Sequence, residues 1–501
     1  MKTKSPNAPI YNPTILCVTS YPPRECGIAT YSQDLITALK NKFEKSFSLA
    51  ICALQPKEDI LFYPSEVMMV LETNNASSYL VTAKNTNENK AIELILIQHE
   101  FGLFKNNEAD FLGFLKQVNQ PIVIAFHTVL PNPNESLKKQ VKDIEAQVQQ
   151  IIVMTHTSAK ILQDDYQIEA SKITIIPHGT HLVEHLDKAL LKEKYQVTGR
   201  KILATFGLLS SGKCIETTIN ALRLIVKREP DVLFLVIGKT HPTVIKEEGE
   251  KYREELQANI AELHLERNVK FINHYLPLAD LLEYLQLTDV YLFTSKDRNQ
   301  AVSGTFSYAL SCGCPIISTP IPHACEVLKN NTGIIVDFEN PKQVARKVIE
   351  LLGNEAYRTS FAANAIHKLA PTAWENSAIA HTLLFEQMLP NKLILEFKFP
   401  KVNLNHLKKM TTAFGIIQFA VINQPDIKSG YTLDDNARAL VALCKHYEIT
   451  KDEADLEYIN RYFNFIKECL HTDGYFLNYL DINQKFTKQN KGTNLADANG
   501  R

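Results

Sequence analysis

Ile202-Leu203-Ala204-Thr205-Phe206-Gly207-Leu208-Leu209-Ser210-Ser211-Gly212-Lys213-Cys214-Ile215 is the stretch from which the fold is read. Its first five residues are apolar without polar alternation, the pattern of a strand covered on both faces in a parallel sheet. A loop with two glycines follows. Then Ile215, Ile219, Leu222 and Ile225 recur at i, i+4, i+7 and i+10, the stripe of an amphipathic helix. The same unit opens the chain: an apolar run at 15–19, a loop ending in Gly27, and a helical stripe of Ile28, Tyr31, Leu35 and Leu39. Apolar runs at 93–98, 121–126, 151–155 and 173–177 complete a first set, and runs at 233–238, 269–272, 290–295, 315–319 and 333–336 a second. The polar segment 181–200 separates them. Such alternation predicts an α/β chain with two Rossmann-like, doubly wound parallel-sheet domains, over 1–185 and 186–390, and a cleft between the carboxyl ends of their strands.

From about residue 391 to 501 the apolar runs stop and helical patterns take over, after a linker-like 390–402. Asp434-Asp435-Asn436-Ala437-Arg438 has an echo in Asp497-Ala498-Asn499-Gly500-Arg501, 63 residues on. Helical pairs at that period suit an α/α toroid. The echo falls on the last residues, so 391–501 is expected to be a partial all-α domain of a truncated chain. Asp434 and Asp435 read either as an acid and base of a glycosidase-like site or as helix caps paired with Arg438.

Composition sets bounds on function. The 501 residues carry 54 Lys and Arg against 55 Asp and Glu, a net charge of −1, which gives no field for nucleic acid. A nucleotide would therefore be a small ligand held by local groups. The N-terminus lacks the apolar core of a signal peptide, and no run approaches the 18 apolar residues of a membrane span. The nine cysteines are scattered without zinc-ligand spacing, which reads as reduced thiols and a cytoplasmic location. Peripheral membrane contact stays open.

Three loops carry the chemistry. In Arg24-Glu25-Cys26-Gly27, the glycine at a strand-to-helix junction lets a ligand approach the backbone, although a plain loop reads equally well. In 207–213, Lys213 lies at the start of a helix, where a lysine balancing the helix dipole would have the wrong sign; neutralising a bound diphosphate explains it better. The P-loop pattern fails, because Cys214 stands where the magnesium-holding hydroxyl belongs. In the third, Ser303-Gly304-Thr305 opens a helix and offers backbone N–H groups and two hydroxyls to a phosphate, or else a simple N-cap. His99 and His127 each end an apolar run of the first set, where ligands bind in open sheets.

Taken in order, Gly27, Gly207-x5-Lys213, and Tyr308-Ala309-Leu310-Ser311-Cys312-Gly313-Cys314-Pro315 resemble the retaining glycosyltransferases of family 4, which have the GT-B fold. Glu326 and Asn331-Thr332-Gly333-Ile334-Ile335-Val336 resemble the family's usual ending. The likeness covers roughly 14–390. It implies transfer of a hexosyl group, mannosyl or glucosyl, from a nucleotide diphosphate sugar to a glycan or small hydroxyl acceptor, with retention and without a metal or other cofactor. It also implies that His127 and Lys213 are catalytic, with His127 near the donor sugar. Gly27, Gly207, Lys213, Gln300, Ser303, Gly304, Thr305 and Tyr308 would bind the donor. Arg24, His99, Arg298 and Glu326 are further cleft candidates.

Two departures stand out. The family's Glu-x7-Glu pair, which holds sugar and ribose hydroxyls, is Gln300 and Tyr308 here, and its arginine after the loop glycine is Leu208. Arg24, Lys296 or Arg298 are the candidates to replace that cation. No Asp-x-Asp occurs to hold a metal as in the other common transferase fold. The rival readings are a phosphorylase or epimerase on the same fold and a non-catalytic nucleotide-sugar-binding module.

Overall fold

The structure, a computed structural model, describes residues 12–500; Arg501 of the echoed motif and the polar residues 1–11 lie outside the described residues. Two parallel sheets dominate. The first has the order β3-β2-β1-β4-β5-β6-β7, with β1 Thr14–Thr19, β2 Ser48–Gln55, β3 Val67–Glu72, β4 Ile92–His99, β5 Ile122–Phe126, β6 Gln150–Val153 and β7 Ile173–Ile175. The second has the order β10-β9-β8-β11-β12-β13, with β8 Lys201–Phe206, β9 Val232–Ile237, β10 Val269–Ile272, β11 Val290–Phe293, β12 Ile316–Ser318 and β13 Ile334–Ile335. In both, the order reverses beside the first strand, so the first and fourth strands diverge to neighbouring helices and leave a crevice at their carboxyl ends. Every apolar run expected as a strand is one. β2 and β3 are additional.

The unbroken runs are explained by burial on both faces. Successive strand residues point to opposite sides. Leu16 and Val18 enter one core with Ile95, Ile97 and Phe111, while Ile15 and Cys17 enter the other with Leu94, Leu96 and Leu35. Both faces are dry, so each buried Ile, Leu or Val contributes about 1.5–3 kcal/mol of transfer free energy. The second sheet is built the same way, with Ile202 and Ala204 on one side and Leu203 and Ile219 on the other.

The chain between the sheets crosses twice. The first crossing runs through His178-Gly179-Thr180. The second runs at Thr372–Trp374, where Thr180 N–H donates to Thr372 O at 2.9 Å and Trp374 N–H to Thr180 O at 3.0 Å. Gly179 permits this, since a Cβ there would sit 2.1 Å from the Trp374 ring. The helix Trp374–Met388 then packs into the first lobe's core through Trp374, Ala378, Leu384 and Phe385. The lobes are thus not contiguous in sequence: the segment after Ala373, expected within 186–390, returns to the first. No glycine or apolar run marks that return, because a helix stripe looks the same whichever lobe it packs on.

Residues 400–501 form a separate unit. It contains the helices Asn405–Met410, Leu433–Thr450, Ala454–Glu468, Gln489–Gly492 and Ala496–Gly500. It also has two short antiparallel ladders, Ala420–Val421 with Gln424–Pro425 and Tyr431–Thr432 with Tyr479–Leu480, which an all-α expectation omits. They are two-residue ladders between turns, too short for a period-2 signal. Arg438 donates to Asp434 at 2.6 Å and Asp435 at 2.7 Å, so both carboxylates are ion-paired on the helix they open. This is the structural reading of that motif rather than the acid–base one.

Candidate active site

The carboxyl ends of β8 and β9 approach through two glycines. Gly207 has φ +130° and Gly238 has φ +123°, backbone conformations that other residues rarely adopt. A Cβ on Gly207 would lie 3.0 Å from Thr305 Cγ2 and 3.4 Å from Lys213 Nζ. The ammonium and the Ser303-Gly304-Thr305 turn therefore converge on one point. Lys213 itself sits in a 3-10 turn, Ser211–Lys213, anchored by Thr294 Oγ1 donating to Lys213 O at 3.1 Å. Among the described residues its ammonium has no carboxylate partner, and it lies 5.6 Å from the Phe293 ring centroid. Burial pushes its pKa down to about 8.

The helix Gly304–Ser311 has no side-chain cap. Ser303 is turned the other way: its hydroxyl meets Thr305 Oγ1 at 3.0 Å, and its N–H donates to His323 Nδ1 at 3.2 Å. The N-cap reading of Ser303 thus fails: the first turn has no side-chain acceptor, and its Thr305 lies beside the Lys213 ammonium at Gly207. That is an anion-binding geometry with a cation already beside it.

The remaining sequence candidates are distributed as follows. Gln300 Oε1 accepts from Ser295 at 3.0 Å within the loop before that helix. Tyr308 does not end free in the cleft: its hydroxyl donates to Asp34 of the first lobe, which also contacts His181 Nε2 at 3.2 Å. Tyr308→Phe is expected to cost about 1–3 kcal/mol, read as a lower melting temperature; an unchanged value means the bond does not form in solution. Gly27 is exposed, and a Cβ there meets nothing within 4 Å, so its surroundings leave room for a ligand. Glu326 bridges the two lobes. Its carboxylate accepts from His156 N–H at 3.0 Å and Thr157 N–H at 3.3 Å, capping a first-lobe helix from the second lobe. Arg298 stacks 4.4 Å from Phe338. Arg24 donates to Leu54 O at 3.0 Å and has no carboxylate partner among the described residues.

The two strand-end histidines differ. His99 is fully buried against the rings of Phe101, Phe104, Phe111 and Phe126, with neither ring nitrogen hydrogen-bonded. Burial pushes its pKa down to about 3. It is a core histidine, placed away from the cleft because it points to the opposite face of β4 from Gln98. His127, one strand along, is half-buried. Its Nε2 meets Gln98 Oε1 at 2.8 Å, and its ring lies edge-on to Tyr31, centroids 4.8 Å apart. Burial, then the neighbouring His178 and His99, lower its pKa to about 3, so the imidazole is neutral near pH 7. With Gln98 accepting, its proton is on Nε2 and Nδ1 keeps a lone pair. His178 also packs on Tyr31, centroids 5.1 Å apart, with its Nε2 3.3 Å from where a Gly304 Cβ would be. His178-Gly179, which follows the last apolar run before the junction, reads from the sequence as a hinge or cleft-lining turn, whereas His323, Asp34 and Gly238 were missed as parts of this site. Gly238 had a signal, being a glycine ending an apolar run; the others carry none.

Residues 187–368 match the family Glycosyl transferases group 1. The chain is 29% identical over 175 residues to spore coat protein SA of Bacillus subtilis, spanning 34% of this chain and 44% of that protein. It is 22% identical over 394 residues to the GDP-mannose-dependent monoacylated alpha-(1-6)-phosphatidylinositol monomannoside mannosyltransferase of Corynebacterium glutamicum, spanning 72% and 94%. Among solved structures, a glycosyltransferase from Rickettsia africae superposes with TM-score 0.61 at 18% identity, covering 76% of this chain and 99% of that one. Anabaena HepE in complex with UDP-glucose does so with TM-score 0.59 at 15% identity, covering 74% and 99%. The fold and site thus define an α/β protein of the GT-B architecture. Its second lobe carries a glycosyltransferase domain of group 1.

Proposed function

We propose that the chain is a retaining, metal-independent glycosyltransferase moving a mannosyl or glucosyl group from a nucleoside diphosphate sugar to a hydroxyl acceptor. One observation carries this reading: a desolvated ammonium, unpaired among the described residues, and a helix start without a side-chain cap meet at Gly207. A nucleoside diphosphate leaves readily only if its growing negative charge is stabilised, and preorganised amide dipoles with a lysine do this without reorganisation. The donors named for the Corynebacterium relative and the Anabaena structure, GDP-mannose and UDP-glucose, support the donor class. In a retaining transfer the acceptor attacks on the face that the phosphate leaves. A departing phosphate oxygen takes the acceptor proton, and the sugar–oxygen bond to phosphate breaks as the new one forms. Neutral His127 then serves by hydrogen bonding near the sugar rather than as a charged acid. Closure of the lobes keeps water from the sugar.

The test is a thermal-shift screen of nucleotide sugars followed by turnover on each stabilising donor. At about 100 Kd a ligand adds about 2.7 kcal/mol. Stabilisation without transfer or hydrolysis, with any acceptor, would leave only a binding module, a reading that the replacement of an acidic pair by Gln300 and Tyr308 keeps in play. EDTA is expected to leave the rate within about twofold, because the developing charge is assigned to the Lys213 ammonium and amide dipoles and none to a metal ion. Loss of activity restored by manganese would overturn the metal-free reading.

A further inference from the structure

His241 stands beside the loop that carries Lys213. Leu209 N–H donates to Lys239 O at 2.8 Å and His241 N–H to Leu209 O at 2.9 Å, so the chain leaving β9 is zipped to the loop leaving β8. The imidazole is oriented by its own chain. Thr243 N–H donates to His241 Nδ1 at 3.1 Å, capping the helix Pro242–Glu248. With that lone pair engaged, the ring proton is on Nε2, which has no hydrogen-bond partner among the described residues.

The first lobe brings a second cation to the same place. Glu25 pairs with Lys239, drawing the loop after β1 onto the loop that holds His241. Its neighbour Arg24 is fixed by Leu54 O, and its guanidinium has no acidic partner among the described residues. Burial, then the charges of Arg24 and Lys213, push the His241 pKa below its ordinary value, and Glu247 alone opposes them. Apart from these, the charged groups on the packed elements are paired with each other, Glu25 with Lys239, and Glu250 with Arg253 at 3.0 Å where both bind Thr240. Basic groups gathered from three loops, two of them without counter-charge, repel one another until a polyanion arrives.

We propose that Arg24 and His241 hold the donor diphosphate together with Lys213. Arg24 supplies from across the cleft the cation that Leu208 does not, and His241 donates through Nε2–H. The inference rests on the reading of the Lys213 loop as a diphosphate site. It makes the complete anion site a property of the closed molecule, since one of its cations belongs to the opposite lobe.

Inorganic pyrophosphate is the probe, because it carries the anion without a base or sugar. Calorimetry on the full chain compares the parent with Arg24→Gln, His241→Asn and Lys213→Ala. Asparagine keeps an acceptor for Thr243 N–H, and Arg24→Lys is the control for charge. Arg24→Gln and His241→Asn are each expected to weaken pyrophosphate binding tenfold or more, with Arg24→Lys recovering part of the loss. Between pH 7 and 6 the parent should gain affinity relative to His241→Asn, because the bound anion raises the histidine pKa and the imidazole takes up a proton on Nδ1, giving up its bond from Thr243 N–H. A variant that binds as tightly as the parent, with its helix content intact, removes that residue from the site. If Lys213→Ala alone loses binding, the proposal fails while the loop's assignment stands; if Lys213→Ala also binds normally, the assignment itself fails.

Discussion

Replacing Lys213 with alanine is expected to weaken the binding of nucleoside diphosphates about a hundredfold while leaving the free nucleoside's affinity unchanged. The magnitude follows from the environment. A hydrogen bond to a charged group is worth about 1.5–3 kcal/mol, and donors in water-excluded sites reach about 4 kcal/mol in a transition state. Each 1.4 kcal/mol is about a factor of ten. Among the described residues the ammonium is unpaired, so removing it breaks no ion pair there and little fold stability is lost. Its pKa, lowered to about 8 by burial, adds a signature. The protonated form binds the anion, so diphosphate affinity should fall as pH rises through about 8 and the fall should vanish in the variant. Binding restores the proton, so calorimetry near pH 8 in buffers of different ionisation enthalpy should register proton uptake. Equal loss of nucleoside and diphosphate binding would place the lysine's role in the fold rather than at the phosphates. No loss of either would remove it from the site.

How much of this was legible in the sequence depends on whether a residue acts through its neighbours in the chain or across the fold. The sheets were legible because strands buried on both faces write themselves as unbroken apolar runs, as at 202–206 and 121–126. β3 escaped because it is an edge strand whose Met68 and Val70 face solvent. Lys213 and the 303–305 turn could be picked out as candidates because the sign of a helix dipole is a local property. His99 and His127 read alike, both ending apolar runs, yet one is caged by aromatic rings and the other faces Tyr31. The difference lies in which side of the sheet each points to and in Phe104 and Phe111, which follow His99 but say nothing of its orientation. By resemblance, Tyr308 was placed among the donor contacts and Glu326 among the cleft candidates. Both instead reach the opposite lobe, Tyr308 to Asp34, 274 residues away, and Glu326 to the helix start at His156, 170 residues away. No local pattern encodes a partner at such separation.

Gly238→Ala is expected to be the most damaging single-methyl change in the second lobe. With φ +123°, an alanine there is strained before any contact is considered, and its Cβ would lie 2.2 Å from the carbonyl oxygen of Gly207. Backbone cannot swing aside as a side-chain tip can. Gly207 N–H is itself tied to Ile237 O at 2.9 Å, so moving one strand end drags the other. Strained backbone and overpacking each cost about 1–3 kcal/mol, so a loss of about 2–5 kcal/mol is expected, seen as a large drop in melting temperature. What remains folded must have shifted the Gly207 carbonyl, and with it the point where Lys213 and Thr305 meet, so diphosphate binding should fall as well. Gly27→Ala separates the two effects. Its Cβ enters open space at ordinary backbone angles, so the melting temperature should hold within about 1 kcal/mol, roughly the helix-propensity difference between the two residues. Any loss of donor affinity there must come from the ligand meeting the new methyl group. If Gly238→Ala melts like the parent, the two strand ends do not touch as described, and the convergence of ammonium and helix start on Gly207 loses its support.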